Sequence, residues 1–142
     1  MSKKVKIIIS SLFIFSLIVS ACHKYEEDTR RTILTPKDRF ARTWILESFE
    51  KDGVTTTLTA EEQYSLQFKK NTNYIKSKTI GDQDSILEYG FWNLNDSKTN
   101  LKMLIYDSIT PIETEIIKLS NKEFKIRDLE GVSKTTYKYI VQ

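Results

Sequence analysis

The sequence predicts an all-β domain, an antiparallel up-and-down meander that closes into a small eight-stranded barrel. Beyond Pro36 the chain consists of short runs rich in β-branched and aromatic residues, separated by clusters of Asn, Asp, Gly and Ser. Within these runs apolar and polar residues alternate, which places them on opposite faces of a strand. Eight such strands leave unpaired edges unless the sheet closes, so we expect a barrel.

The first 21 residues predict export. Three lysines in the first six residues precede an uncharged and largely apolar run, which ends in Ser20-Ala21 directly before Cys22. This is the pattern of a signal peptide. The run is interrupted by four serines and is shorter than the roughly 20 apolar residues that a membrane-spanning helix needs. We therefore interpret residues 1–21 as a signal peptide, with a single-pass anchor as the alternative.

Cys22 is the only cysteine, so the chain forms no internal disulfide. The stretch Val19-Ser20-Ala21-Cys22 resembles the bacterial lipobox, in which a branched apolar residue and two small residues precede a cysteine. The resemblance implies cleavage before Cys22, a diacylglyceryl thioether on its sulfur and acylation, for example by palmitate, of the new amine. Two or three acyl chains hold a protein on a membrane effectively permanently. The prediction is a cell-envelope lipoprotein anchored in the outer membrane through membrane lipid on Cys22.

Residues 22–37 are predicted to be a flexible tether, because they are polar and lack periodicity. Within this tether, Lys24 followed by Glu26-Glu27-Asp28 resembles the export signal of surface lipoproteins in Bacteroidota. That resemblance implies display on the cell surface, and a periplasmic location is the alternative. The folded domain is then predicted over residues 38–142.

The charge balance argues against nucleic acid as a partner. The signal peptide contains three lysines and no acidic residue, so the 22 basic residues of the chain fall to 19 after cleavage and equal its 19 acidic ones. Nucleic-acid binding requires a basic surplus on one face. The 121 residues that remain of the 142 are enough for one small domain with one core.

A helical turn around Lys37 to Arg42 is predicted to lead into the domain, and a second is expected at Ala60–Glu62. Eight strands are predicted in order: Thr43–Glu50, Tyr64–Lys69, Asn73–Ile80, Ser85–Asn95, Leu101–Asp107, Glu113–Leu119, Glu123–Leu129 and Thr135–Val141. The links between most of them are short and rich in Asn, Asp, Gly and Ser, which is typical of tight hairpins.

Alternation places one set of large residues inside the barrel. An eight-stranded barrel is either just filled by side chains or just able to hold one small ligand. The inward set therefore lines a pocket or forms the core, and it comprises Trp44, Leu66, Phe68, Tyr74, Trp92, Met103, Tyr137 and Tyr139. Ile45, Phe49, Tyr89 and Phe91 are predicted to face outward, where apolar residues often mark a contact surface.

The same strands resemble a known family. Trp44-x-Leu46-x-Ser48, Leu66-x-Phe68 and Gly90-x-Trp92-x-Leu94 are similar to the small lipocalin-like domains of Bacteroidota lipoproteins, and the similarity spans about residues 38–141. The resemblance implies a lipocalin-like barrel. It implies no particular ligand, because these motifs mark positions in a barrel and carry no chemistry.

The sequence offers little for catalysis, metal binding or a cofactor. His23, the single histidine, lies in the predicted tether, so the domain can assemble neither a Ser-His-Asp nor a Cys-His arrangement. Four glycines leave little scope for a phosphate-binding loop. Glu88, Glu113 and Glu115 are interpreted as solvated strand charges. We therefore predict a protein that is not an enzyme and requires no cofactor.

Two functions remain open. The first is a non-catalytic binding module for a small apolar ligand or a partner. The second is a structural or assembly subunit that docks on a larger envelope complex through its outer face. A cavity inside the barrel favours the first, and a filled barrel with an apolar outer patch favours the second.

Overall fold

The computed structural model describes residues 33–129 and 133–142. The predicted signal peptide, Cys22 and most of the predicted tether lie outside this part of the chain. The described residues form one short helix, α1 (Pro36–Phe40), and nine strands. The strands are β1 (Thr43–Lys51), β2 (Val54–Thr57), β3 (Glu62–Phe68), β4 (Asn73–Ile80), β5 (Gln83–Leu94), β6 (Asn100–Ile105), β7 (Ile112–Leu119), β8 (Glu123–Asp128) and β9 (Thr135–Val141).

Helix α1 begins with a side-chain cap. The Thr35 hydroxyl accepts a hydrogen bond from the backbone N–H of Asp38 at 3.2 Å and donates one to its carboxylate at 2.6 Å. Pro36 occupies the first turn, where its missing N–H costs nothing. The helix begins two residues before the predicted start of the domain and ends at Phe40, whose side chain is fully buried.

The sheet closes on itself, and the predicted all-β barrel is confirmed. From β3 to β9 each strand pairs antiparallel with the next in sequence. Strand β1 closes the ring, because it pairs with β3 over Thr43–Ile45 on one edge and with β9 over Trp44–Lys51 on the other. Closure leaves these eight strands without the long open edge that a flat meander would have.

One further strand, β2, was not predicted. It pairs with the last four residues of β1, beyond the point where β1 leaves β3, and all of its residues are exposed. Its turn contains Asp52 and Gly53 with φ angles of 52° and 78°. Asp-Gly with two positive φ angles is the preferred two-residue hairpin turn, and Val54 and the threonines that follow favour a strand.

Two predictions on local structure were wrong. Ala60 and Glu61 form a turn and Glu62 already belongs to β3, so no helix exists there. Phe49 was predicted to face outward, but a β-bulge between Leu46 and Ser48 shifts the register, and Phe49 pairs with the inward Tyr137 at 6.4 Å between ring centroids. A bulge inserts one residue and therefore moves the following side chains to the other face.

Candidate functional site

One end of the barrel interior is filled by aromatic rings, and Phe40 of α1 lies at the centre. Its ring centroid is 5.5 Å from that of Phe68, 5.8 Å from Trp92 and 5.3 Å from Phe124. Phe124 in turn lies 4.8 Å from Trp44. These are edge-to-face and tilted contacts, the geometries that aromatic pairs favour. Helix α1 therefore fills this end of the barrel with the Phe40 side chain. We call this end of the barrel the plugged end.

Both tryptophans belong to this packed region. The Trp44 indole N–H donates to the Phe40 carbonyl at 3.1 Å, and the Trp92 indole N–H donates to the Lys69 carbonyl at 3.0 Å. Neither side chain is more than 2 % exposed. A buried indole needs such a partner, and here each one also fixes the orientation of its ring.

The other predicted lining residues are placed as follows. Leu66, Phe68, Tyr74, Met103 and Tyr139 are buried and belong to the same hydrophobic cluster, and Tyr137 is half-buried and packs against it. The Tyr139 ring stacks on Phe124 at 4.6 Å with an interplanar angle of 6°. Seven of the eight predicted positions are thus core, and Tyr137 lies where the packed region ends.

Beyond this layer the interior becomes polar. The Tyr74 hydroxyl donates a 2.6 Å hydrogen bond to Glu88, and the Lys76 ammonium lies 3.9 Å from the same carboxylate. Burial raises the pKa of Tyr74 far above its usual value, and the bond to Glu88 adds to the increase. The phenol therefore stays protonated and donates to Glu88 at any physiological pH.

The opposite wall carries a second carboxylate. The Tyr137 hydroxyl donates to Asp128 at 3.3 Å. Burial raises the pKa of the Asp128 carboxyl, while the bond from Tyr137 and the charge of Lys76 act against that increase. Lys76 on β4 thus acts electrostatically on a carboxylate of β8, as well as on its neighbour Glu88. Two acidic groups share one lysine inside the barrel.

Thr114 completes this region, which we call the polar end (Lys76, Glu88, Thr114, Asp128 and Tyr137). Thr114 pairs with Asp128 across β7 and β8 and is 3 % exposed. Its hydroxyl is buried without a hydrogen-bond partner among the described residues. A buried hydroxyl with no partner is uncommon, since it loses its bonds to water on folding.

A rim of three residues surrounds the polar end on the side of β3 and β4. The Tyr64 hydroxyl donates to Glu62 at 2.6 Å, Lys78 forms an ion pair with Glu62, and the Lys78 ammonium lies 5.2 Å from the centre of the Tyr64 ring. The bond from Lys78 lowers the pKa of the Glu62 carboxyl, and the reciprocal bond raises the pKa of Lys78. The rim is thus internally neutral.

Of the five residues of the polar end, only Tyr137 was predicted to face the interior. Glu88 was interpreted as a solvated strand charge, whereas its carboxylate accepts a hydrogen bond from the buried Tyr74. Lys76 and Asp128 follow the inward residues Tyr74 and Ile126 by two positions. This spacing could have identified them, because residues two apart in a strand share a face.

The predicted outward residues differ in exposure. Tyr89 and Phe91 are half-exposed, at 53 % and 49 %, whereas Ile45 is buried at 8 %. Tyr89 and Phe91 therefore form part of an apolar outer surface, and Ile45 does not.

The described part of the chain contains no group of three or more His, Cys, Asp or Glu residues that could hold a metal ion. Within the same ranges, no helix is long and apolar enough to cross a membrane. The interior groups of the polar end are hydrogen-bond donors and acceptors.

A closed antiparallel barrel with a packed end and a polar end defines a small lipocalin-like domain. The family model described as "Lipocalin-like domain" matches residues 41–126, more than half of the chain, and the chain belongs to this family. The predicted lipocalin-like domain is therefore confirmed. The lipocalin-like fold suggests a ligand-binding module, and barrels of this size are either just filled by side chains or just able to hold one small ligand.

Solved structures support the same fold. The chain is similar to a lipocalin-like protein from Bacteroides uniformis, with a TM-score of 0.57 and 13 % sequence identity over 73 % of this chain and 99 % of that one. At this identity the likeness concerns the fold alone. No curated protein matches the chain.

Proposed function

We propose that this chain is an envelope lipoprotein, lipidated on Cys22 and anchored by it to the outer membrane, whose barrel binds one small ligand at its polar end without catalysis. The observation that carries the ligand-binding part is the convergence of polar groups from five strands inside the barrel. Lys76, Glu88, Thr114, Asp128 and Tyr137 come from β4, β5, β7, β8 and β9 respectively.

The polar end lowers the stability of the fold, and this supports a role in binding. The raised pKa of Asp128 means that its ionised form is less favourable in the folded chain than in water. A buried hydroxyl without a partner, as at Thr114, costs about 1–3 kcal/mol. The opposite end shows that apolar residues can fill this barrel. Polar groups retained at such a cost are typical of functional sites.

The groups present indicate the chemistry of the ligand. The carboxylates of Asp128 and Glu88 are acceptors, and the Thr114 hydroxyl can accept or donate. These two carboxylates outnumber the one ammonium of the polar end, that of Lys76. The half-buried Leu46 and Phe49 supply apolar walls beside Tyr137. We therefore expect an amphipathic ligand whose polar group is rich in hydrogen-bond donors, in place of the small apolar ligand expected from sequence.

Native mass spectrometry on the lipoprotein purified from its own membranes tests ligand binding. We expect a co-purified small molecule on the wild-type protein and its loss from Asp128→Ala. The matched control is Glu115→Ala, because Glu115 lies on the neighbouring strand and pairs with Arg127 at 3.4 Å on the outer face. Equal ligand content in all three folded proteins would contradict the assignment of the polar end.

Membrane fractionation tests the anchor separately. Wild-type protein should be found in the membrane fraction at the mass of a chain cleaved before Cys22 and acylated. Cys22→Ser should be released in soluble form or remain uncleaved. A Cys22→Ser protein that is cleaved normally and still membrane-bound would refute lipid anchoring and leave the ligand-binding result unaffected.

A further inference from the structure

An apolar surface covers the outside of β4, β5 and β6. Ile75 pairs with Tyr89 and Phe91 pairs with Leu104, so these four side chains share the outer side of the sheet. Tyr106 joins them, since its ring stacks on Tyr89 at 5.2 Å. Tyr89, Phe91 and Tyr106 are each about half-exposed. We call these five residues the aromatic face.

Two shallow grooves flank Phe91, with volumes of about 300 and 340 Å³. Each is lined by one charged residue, Lys69 in the first groove and Lys102 in the second. No carboxylate is present among the described residues that line either groove. Glu113 lies beside the second groove and pairs with Lys102 at 3.7 Å. The aromatic face therefore combines apolar rings with positive charge, most clearly at Lys69.

The chain enters the barrel next to this face. A carboxylate oxygen of Asp38 in α1 lies 3.5 Å from the ammonium of Lys70, the neighbour of Lys69. Asn73, the first residue of β4, pairs with Phe91. The 13 residues from 23 to 35 connect Cys22 to the start of α1. Fully extended, they span at most about 45 Å. A lipid on Cys22 would thus keep the start of α1, which lies next to this face, within about 45 Å of a bilayer.

The size of the face favours a bilayer over a protein partner. A half-exposed aromatic side chain offers about 100 Å² of surface, so the three rings offer about 300 Å². A stable protein interface buries about 800 Å² on each partner. Tyrosine is enriched at membrane–water interfaces, and an anionic lipid surface attracts a nearby lysine.

We propose that the aromatic face docks on the anionic headgroup region of the membrane that holds the lipid anchor. This inference rests on the proposed lipidation of Cys22. The Phe91 side chain, which separates the two grooves, inserts into the membrane–water interface. Lys69 contacts lipid phosphates. The polar end lies on the opposite, interior side of the same strands and is not used in docking.

The full mature chain offers a direct test, because lipidation leaves it without a free thiol. In Phe91→Cys the new thiol takes one environment-sensitive fluorophore, and in the control Lys125→Cys the label lies on β8, across the barrel on the outer side. The lipoproteins are reconstituted in phosphatidylethanolamine vesicles containing phosphatidylglycerol and brominated lipid. We expect a blue-shifted, bromolipid-quenched label at position 91 and a water-exposed label at 125. Adding Lys69→Glu should reduce the quenching at position 91.

Each of three other outcomes overturns the proposal, and each identifies the step that failed. Equal exposure of both labels on an acylated chain refutes docking and leaves lipid anchoring intact. A label on Cys22, detected by mass, shows that anchoring itself has failed, and docking fails with it. Shielding of position 91 that persists in detergent shows that a second copy or another part of the chain covers the face.

Discussion

The most demanding test of the packing is the removal of the Phe40 ring, because a five-residue helix delivers this single side chain to the plugged end. Phe40 is fully buried and contacts three other rings, at centroid distances of 5.3 to 5.8 Å. Phe40→Ala deletes the ring and leaves a cavity between β3, β5 and β8. Barrel closure limits how far the surrounding strands can relax into the space.

The expected loss follows from those contacts. A buried Phe→Ala change costs about 3–5 kcal/mol through lost transfer free energy and the residual cavity. The three ring contacts place this site at the upper part of that range, since each aromatic pair contributes about 0.5–1.5 kcal/mol beyond burial. Small domains have a free energy of unfolding of about 5–15 kcal/mol. The variant should therefore unfold at a much lower denaturant concentration.

The matched control is Phe91→Ala, the same chemical change at a half-exposed position on the aromatic face. Surface substitutions usually change stability by no more than about 0.5 kcal/mol. Urea unfolding followed by circular dichroism measures both variants. A loss below about 1.5 kcal/mol for Phe40→Ala, the range of mild core substitutions, would refute the plug. An equal loss of stability in Phe91→Ala would also refute the plug.

Four further predictions follow from the interior. Trp44→Ala and Trp92→Ala should each lower the free energy of unfolding by about 3–5 kcal/mol, with Trp44 the more damaging, and denaturant melts would show it. Gly90→Ala should cost about 1–3 kcal/mol in the same melts, because a Cβ there would overlap a backbone carbonyl oxygen of β6. Thr114→Val should raise the free energy of unfolding by about 1 kcal/mol, and a loss would mean that the hydroxyl has a partner. Asp128→Asn should be more stable than wild type at pH 7. Since the folded pKa of Asp128 is raised, the contribution of Asp128 to stability decreases as pH rises from 3.8 through that pKa, so the advantage of Asp128→Asn should disappear in melts near pH 3.

Most of the strands could be predicted because alternation is a local property. The spacing of Trp44 and Leu46, and of Phe68 and Leu66, requires only that neighbouring side chains point in opposite directions. The inward positions of β3, β5 and β6 were correct for this reason. The hairpin at Asp52-Gly53 carried an equally local signal, and β2 was missed because the threonines after it were not interpreted as a strand.

The bulges were not predictable in the same way. Phe49 has the parity of an outward residue when residues are counted from Trp44, and only the pairing of β1 with β9 shows that an extra residue intervenes. A bulge exists where two strands must bend together to close the barrel. It therefore depends on residues about 90 positions away in the sequence, and no pattern within β1 reveals it.

By itself, the sequence determined that this protein has a closed antiparallel barrel with large residues inside, and it predicts export and lipidation at Cys22. Both conclusions depend on local patterns, namely alternation along strands and the order of charges, apolar residues and small residues before one cysteine. Only the tertiary structure decided what the interior contains. Phe40 fills one end because a capped helix folds back over the barrel, and Lys76, Glu88, Thr114 and Asp128 meet at the other end because closure brings distant strands together. Side chains that converge across a barrel are close in space but distant in sequence. The order of their strands along the chain therefore does not predict which of them meet.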